Sequence, residues 1–74
     1  MDDGFETEVL KQISEKLLMK KEEIILLIQG KVDDPLKIAN EIVSSLLNQG
    51  FIAVAPVGNS SYAVTQKGMR AAKI

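Results

Sequence analysis

The stretch GFIAVAPVGNSSYAVTQKG, residues 50–68, holds two short apolar segments on either side of a polar turn. Its first segment is rich in isoleucine and valine, residue types that favour strands. Pro56 cannot donate to a sheet ladder, so this strand either lies at an edge or ends there. Residues 58–61, Gly-Asn-Ser-Ser, supply turn residues, and the chain returns with alternating apolar side chains. The pattern predicts a β-hairpin over residues 51–65.

A helix is predicted on each side of this hairpin. Before it, residues 35–49 place apolar side chains at helical spacing. Asp34 is a suitable N-cap, a proline follows at the first helical position, and Gly50 ends the helix. After the hairpin, Thr65 caps a short helix over residues 66–73. The exposed face of the longer helix carries polar side chains: Lys37, Asn40, Glu41, Ser44 and Asn48.

The first half of the chain is also predicted to be helical. Apolar residues at one-sided helical spacing predict a helix over residues 5–19. Five consecutive apolar residues, 24–28, fit either a buried strand or a short buried helix, and the isoleucines favour a strand. We prefer a short helix over residues 22–29, because Gly30 is well placed to follow its last turn. With short connections throughout, residues 1–74 are predicted to form one domain.

Composition narrows the range of functions. The chain has 74 residues, no cysteine and no histidine. Disulfides, thiolate metal sites and histidine-based catalysis are therefore excluded, and we expect no enzyme, no metal and no cofactor. No apolar run approaches the roughly 20 residues needed to cross a bilayer. The N-terminal segment is acidic, unlike a targeting signal, so we expect a cytoplasmic protein without membrane insertion.

Charge is divided unevenly along the sequence. Residues 1–34 contain nine acidic residues and five lysines, which gives −4. Residues 35–74 contain four basic residues and one glutamate, which gives +3. Such a division can direct one face of a protein toward an anion. An ordinary solvated surface of mixed charge is the alternative interpretation.

The order of predicted elements resembles the winged helix-turn-helix family. The resemblance rests on IANEIVSSLLNQGFI, residues 38–52, which is similar to a recognition helix running into the first wing strand. It rests also on YAVTQKG, residues 62–68, which resembles the Tyr-x-Leu-Thr-x-Lys-Gly ending of the second wing strand. It covers most of the chain, and the most similar relatives are stand-alone regulators of the kind common in archaea and their viruses. It implies an α+β fold with three helices, a two-stranded wing and a short C-terminal helix.

The resemblance also implies a function, namely binding of double-stranded DNA by a small transcriptional regulator. In that family the third helix enters the major groove and the wing touches the minor groove or phosphates. The turn at residues 58–61 contains no lysine or arginine, so the third and last helices are expected to contribute more affinity than the hairpin. Carried over residue by residue, the DNA-contacting positions are Lys37, Asn40, Glu41, Ser44, Ser45, Asn59, Ser60, Lys67 and Arg70.

Two further hypotheses concern protein partners. The acidic first half, the uncharged hairpin tip and the net charge of −1 also fit a winged-helix module that binds another protein. Its setting would be a replication, transcription or membrane-remodelling assembly. The first helix is also predicted to form a homodimer, since Phe5, Leu18 and Met19 give it more apolar surface than a small bundle covers.

Overall fold

The structure is a computed structural model that describes residues 3–56 and 60–72. Within these residues the chain forms four helices and a three-stranded antiparallel sheet, so the fold class is α+β. The sheet has the strand order β1-β3-β2. In chain order the elements are α1 (Asp3–Lys16), β1 (Leu18–Lys20), α2 (Lys21–Ile28), α3 (Pro35–Gln49), β2 (Ile52–Val54), β3 (Ser61–Val64) and α4 (Gln66–Ala72).

The helix α3 begins and ends at the residues whose chemistry predicts it. Asp34 caps α3 by accepting a hydrogen bond from the Lys37 backbone N–H at 3.3 Å. At the other end Gly50 adopts a left-handed conformation, with φ of +80°, which glycine takes without a steric penalty. The apolar run of residues 24–28 is helical, as preferred, and lies in α2, which spans Lys21–Ile28 where residues 22–29 were predicted; Gly30 follows it with φ of +87°.

The prediction for the end of the first helix is wrong. The helix α1 ends at Lys16, because Leu17 has a left-handed backbone, with φ of +71°. The next residues form the strand β1, which pairs antiparallel with β3 and places Met19 opposite Tyr62. The predicted two-stranded hairpin is therefore part of a three-stranded sheet. The apolar residues predicted to end the helix instead form a strand. In this strand Met19 is buried and its neighbours are exposed.

The strands β2 and β3 form the predicted hairpin. Ile52 lies opposite Val64, and Val54 lies opposite Tyr62. Of the four predicted turn residues, Gly58 and Asn59 lie outside the described residues. Ser61 is the first residue of β3 and is buried, so its assignment to the turn is wrong. The Ala55 N–H donates to the Ser61 carbonyl at 2.9 Å, which extends the hairpin pairing beyond β2.

A single apolar core lies between the helices and the sheet. Each element contributes a small number of aliphatic side chains, and burying one fully stabilises the fold by about 1.5–3 kcal/mol. Phe5 packs against this core and Met19 is buried in it, so of the three side chains on which the predicted helix-1 dimer rests only Leu18 is exposed, and it lies on β1. The most deeply buried side chains include Val9, Ile13, Met19, Ile24, Ile28, Leu46 and Ile52.

The junction between β1 and α2 is closed by a carboxylate. Glu23 Oε1 accepts a hydrogen bond from the Lys20 backbone N–H at 3.0 Å, and its Oε2 lies 3.5 Å from Lys16 Nζ. The hydrogen bond from the Lys20 backbone, followed by the nearby Lys16 charge, lowers the pKa of Glu23 although partial desolvation opposes the shift. This contact also occupies a backbone donor of β1 that faces away from β3.

Candidate nucleic-acid interface

One face of α3 presents a row of exposed polar side chains. Lys37, Asn40, Glu41 and Ser44 are spaced i, i+3, i+4 and i+7, which places them on one side of the helix, and all four are exposed. Within the part of the chain that the structure describes, none of these side chains makes a hydrogen bond or an ion pair. Asn48 continues the row and is also exposed. The row is a set of free donors and acceptors on a rigid element.

Ser45 lies elsewhere, although it was predicted to contact DNA. It is half-buried, and its Oγ donates to Glu6 Oε2 of α1 at 2.5 Å. The same carboxylate oxygen accepts from Gln49 Nε2 at 2.8 Å. The three side chains join α1 to the C-terminal half of α3. The Ser45 hydroxyl is thus engaged inside the protein and is not part of the exposed row.

Of the two hairpin residues predicted to contact DNA, Asn59 and Ser60, the structure describes Ser60. Asn59 lies outside the described residues. Ser60 is exposed and has φ of +57°. Its backbone carbonyl accepts from the Lys21 N–H at 2.8 Å, which ties the end of the turn to the start of α2.

Lys67 packs against the C-terminal end of α3. Its Nζ lies 5.6 Å from the centroid of the Phe51 ring, a distance at which a cation is attracted to an aromatic face. Its Cδ and Nζ lie 3.8 and 4.0 Å from the position that a Cβ on Gly50 would take. A cation is favourable there because carbonyl groups at the end of a helix carry partial negative charge. Along the helix axis, at about 1.5 Å per residue, Gly50 is about 20 Å from Lys37.

The TQKG segment, residues 65–68, fastens α4 to this same end of α3. Thr65 Oγ1 accepts from the Gly68 N–H at 3.0 Å and contacts the carbonyl oxygens of Gly50 and Phe51 at 2.6 and 3.0 Å. A Cβ on Gly68 would lie 2.1 Å from the Phe51 carbonyl oxygen, so only glycine fits. The motif that carries much of the family resemblance therefore has a structural use. Sequence reasoning assigned the cap to Thr65 but found no role for Gly68.

Arg70 is the other basic residue predicted on the last helix. It is exposed on α4, and within the described residues it makes no ion pair. Since α4 starts against the C-terminal end of α3, the basic residues of α4 do not form one cluster with Lys37.

The local charge around the exposed row is negative. Asp33 and Asp34 precede α3, and Glu41 lies within the row. Three carboxylates are therefore present for the one lysine, Lys37. Lys31, in the preceding turn, lies 3.9 Å from Glu8 and is partly neutralised by it. Within the row, a phosphate contact consequently depends on Lys37.

Within residues 3–56 and 60–72, no group of histidine, cysteine or acidic residues is arranged to hold a metal ion. None of the helices in the same ranges is both long and apolar enough to cross a membrane. A shallow surface depression follows the exposed side of α3 and is lined by Asn40, Glu41, Ser44, Ser45, Asn48 and Gln49.

Comparisons of the chain with protein-family models, curated proteins and solved structures found no significant match.

Proposed function

We propose that this protein binds double-stranded DNA through the exposed polar face of α3, as a small transcriptional regulator of winged helix-turn-helix type. The observation that supports the proposal is the row of four exposed polar side chains, without hydrogen-bond or ion-pair partners among residues 3–56 and 60–72, on one face of a 15-residue helix. The strand order and the hairpin that follows α3 are compatible with that fold.

The chemistry of the row matches base edges in a major groove. Asn40 can pair with adenine through its N6 and N7 positions, and Ser44 can donate or accept. Glu41 accepts from the N4 amino group of cytosine and repels phosphates. Lys37 reaches either a guanine or a phosphate. The row thus offers more groups for reading sequence than for neutralising the backbone.

The affinity expected from one chain is modest. Phosphate neutralisation supplies most of non-specific binding, and the row contains one cation among several carboxylates. Binding to a generic duplex should therefore be weak and should fall as salt increases. A preferred sequence should gain affinity chiefly through Asn40, Glu41 and Ser44.

The test is a titration of a generic DNA duplex at two salt concentrations. Lys37→Ala should weaken binding and reduce the slope of log K against log salt by about one, because one phosphate contact is lost. Lys67→Ala is the matched control, since it removes the same charge from the opposite end of α3 and should leave the slope unchanged. Asn40→Ala should lose sequence preference when bound duplexes are selected from a randomised pool.

Two results would contradict the proposal. The first is the absence of wild-type binding below about 10⁻⁴ M, the weak end of non-specific affinity. The second is an equal effect of Lys37→Ala and Lys67→Ala, which would mean that binding follows net charge and not the exposed row.

Exposed apolar side chains favour a second function, binding of a protein partner. Leu26 on α2 is 68% exposed and Leu36 at the start of α3 is 55% exposed. Large apolar side chains at such exposure, next to a surplus of carboxylates, suit a partner with apolar and basic groups. Leu26→Ser and Leu36→Ser, which add no charge beside Lys37, should then abolish capture of that partner while leaving duplex binding intact. Loss of duplex binding in these variants would instead assign the surface to DNA.

A further inference from the structure

The strand β2 has an open edge. In the strand order β1-β3-β2 it hydrogen-bonds to β3 on one side, and no other strand in residues 3–56 or 60–72 lies on its outer side. Its three residues, Ile52, Ala53 and Val54, are followed by the buried Ala55 and the exposed Pro56. Unpaired N–H and C=O groups at such an edge are a template for another strand.

The pairing with β3 shows which backbone groups are free. The Thr65 N–H donates to the Phe51 carbonyl at 3.0 Å, and the Ala55 N–H donates to the Ser61 carbonyl at 2.9 Å. In an antiparallel ladder the residues that bond to one neighbour alternate with residues that face the other way. Ile52 and Val54 therefore direct their N–H and C=O groups outward, and Ala53 lies between them.

The other edge of the sheet is protected in a way that β2 is not. At the outer edge of β1 the Lys20 N–H is already bonded to Glu23, and lysines stand at positions 16, 20 and 21. Charged side chains, lysine above all, are the usual protection of an edge strand. By contrast, no charged residue occurs between Glu41 and Lys67, so the sequence places none on β2 or its flanks.

The apolar face of the sheet also extends past the core on the β2 side. Met19, Tyr62 and Val54 lie opposite one another in a row across the three strands. Met19 is 2% exposed, Tyr62 is half-buried and Val54 is 66% exposed. This line of side chains across the sheet therefore ends at Val54, an apolar side chain that the described part of the chain leaves uncovered.

We propose that β2 pairs with β2 of a second copy of this chain, antiparallel and in register about Ala53. In that register Ile52 faces Val54 of the second copy, so each of these two pairs exchanges two backbone hydrogen bonds. Ala53 faces its own copy at the twofold axis, where a non-hydrogen-bonded pair brings Cα atoms to about 4.5 Å and a small side chain fits. The result is a six-stranded sheet, and the interface is self-complementary as a twofold axis requires.

This dimer uses a different surface from the predicted helix-1 dimer, and it does not depend on DNA binding. Three paired residues form a small interface, so association is expected to be weak and concentration-dependent. An edge of this kind also accepts a strand from an unrelated protein. The self-complementary spacing of the outward groups about Ala53 favours a second copy.

Sedimentation of the full chain across a concentration series tests the proposal. Val54→Lys should weaken dimerisation at least tenfold, because it brings two lysines to about 7–8 Å across the axis at an otherwise uncharged edge. Leu26→Lys is the matched control, because it introduces the same charge at an equally exposed apolar position on α2 and should leave the dimer intact. Circular dichroism of both variants would verify that each remains folded.

A mixing experiment identifies the edge directly. Val54→Glu alone should also be monomeric, whereas an equimolar mixture of Val54→Lys and Val54→Glu should form a heterodimer. In the wild type, the Ile52 and Val54 amides should exchange with solvent more slowly as concentration rises. A wild type that stays monomeric at millimolar concentration would overturn the proposal, as would a dimer that Leu26→Lys disrupts as strongly as Val54→Lys.

Discussion

The two ends of α3 are built differently. At the C-terminal end Ser45 and Gln49 bond to Glu6, while Lys67 and Thr65 close over Gly50 and Phe51. At the N-terminal end the side chains of the exposed row have no partner among the described residues, and the Asp34 cap is the main local contact. The polar side chains of the C-terminal, fixed end are bonded to other elements, whereas those of the N-terminal, open end face solvent. The buried stripe of Ala39, Ile42, Val43 and Leu46 holds α3 along its length, so the open end keeps its orientation.

Gly68→Ala tests how much of the fold depends on the fixed end and should have the largest effect. The added Cβ would lie 2.1 Å from the Phe51 carbonyl oxygen, which is backbone and cannot move aside cheaply. We expect a loss of about 3 kcal/mol or more in the free energy of unfolding, measured by urea denaturation. Gly30→Ala is the control, because its Cβ meets open space and the cost is only that of a left-handed backbone, about 1–2 kcal/mol. Similar losses in the two variants would show that α4 is not clamped there.

Thr65→Val removes the hydroxyl at the fixed end while keeping the shape of the side chain. The Gly68 N–H loses its acceptor, and the Gly50 carbonyl loses its contact with Oγ1. We expect a loss of about 1–2 kcal/mol in the free energy of unfolding, as for other N-cap residues. Thr65→Ser retains the oxygen and should recover most of this loss. Equal stability of the serine and valine variants would contradict a capping role.

Ser45→Ala separates the fixed end from the open one. Removing the hydroxyl takes one hydrogen bond from Glu6, and Gln49 continues to donate to the same carboxylate. The free energy of unfolding should fall by about 1 kcal/mol. If the DNA-binding proposal is right, duplex affinity should not change, because the hydroxyl faces α1. A fall in affinity without a fall in stability would return Ser45 to the DNA-contacting row.

Sequence patterns predicted those features that depend on neighbouring residues. Asp34 and Gly50 gave the bounds of α3, and Thr65 gave the start of α4, because caps act within a few residues. The errors lie where a residue distant in the sequence determines the local structure. Leu17 ends α1 although leucine rarely takes a positive φ, and Met19 joins a strand because Tyr62, 43 residues later, is there to pair with it.

The candidate site shows the same division. Spacing alone placed Lys37, Asn40, Glu41 and Ser44 on the exposed face, and the structure finds them there. Spacing could not show that Ser45 would find Glu6 in α1, or that the charge of Lys67 would lie over the Phe51 ring. Those contacts depend on how separate elements pack. A count of basic residues in the second half of the chain therefore overstates the charge available at the exposed row.

Asp34→Asn tests the open end and should have the smallest effect on stability. Asparagine caps helices about as well as aspartate, so the hydrogen bond from the Lys37 N–H is kept and the free energy of unfolding should change by less than about 1 kcal/mol. The substitution also removes one of the three carboxylates around Lys37. Duplex affinity at low salt should therefore rise by about two- to fivefold, since one unit of repulsion between exposed charges is worth under about 1 kcal/mol.

Asp34→Ala separates these two effects, because it removes the same charge and also the cap. It should lose about 1 kcal/mol of stability, measured by urea denaturation, while gaining duplex affinity to the same extent as Asp34→Asn. If neither variant binds duplex more tightly than the wild type, phosphates do not approach the N-terminal end of α3. The exposed row would then serve a protein partner, for which the carboxylates at this end are attractive.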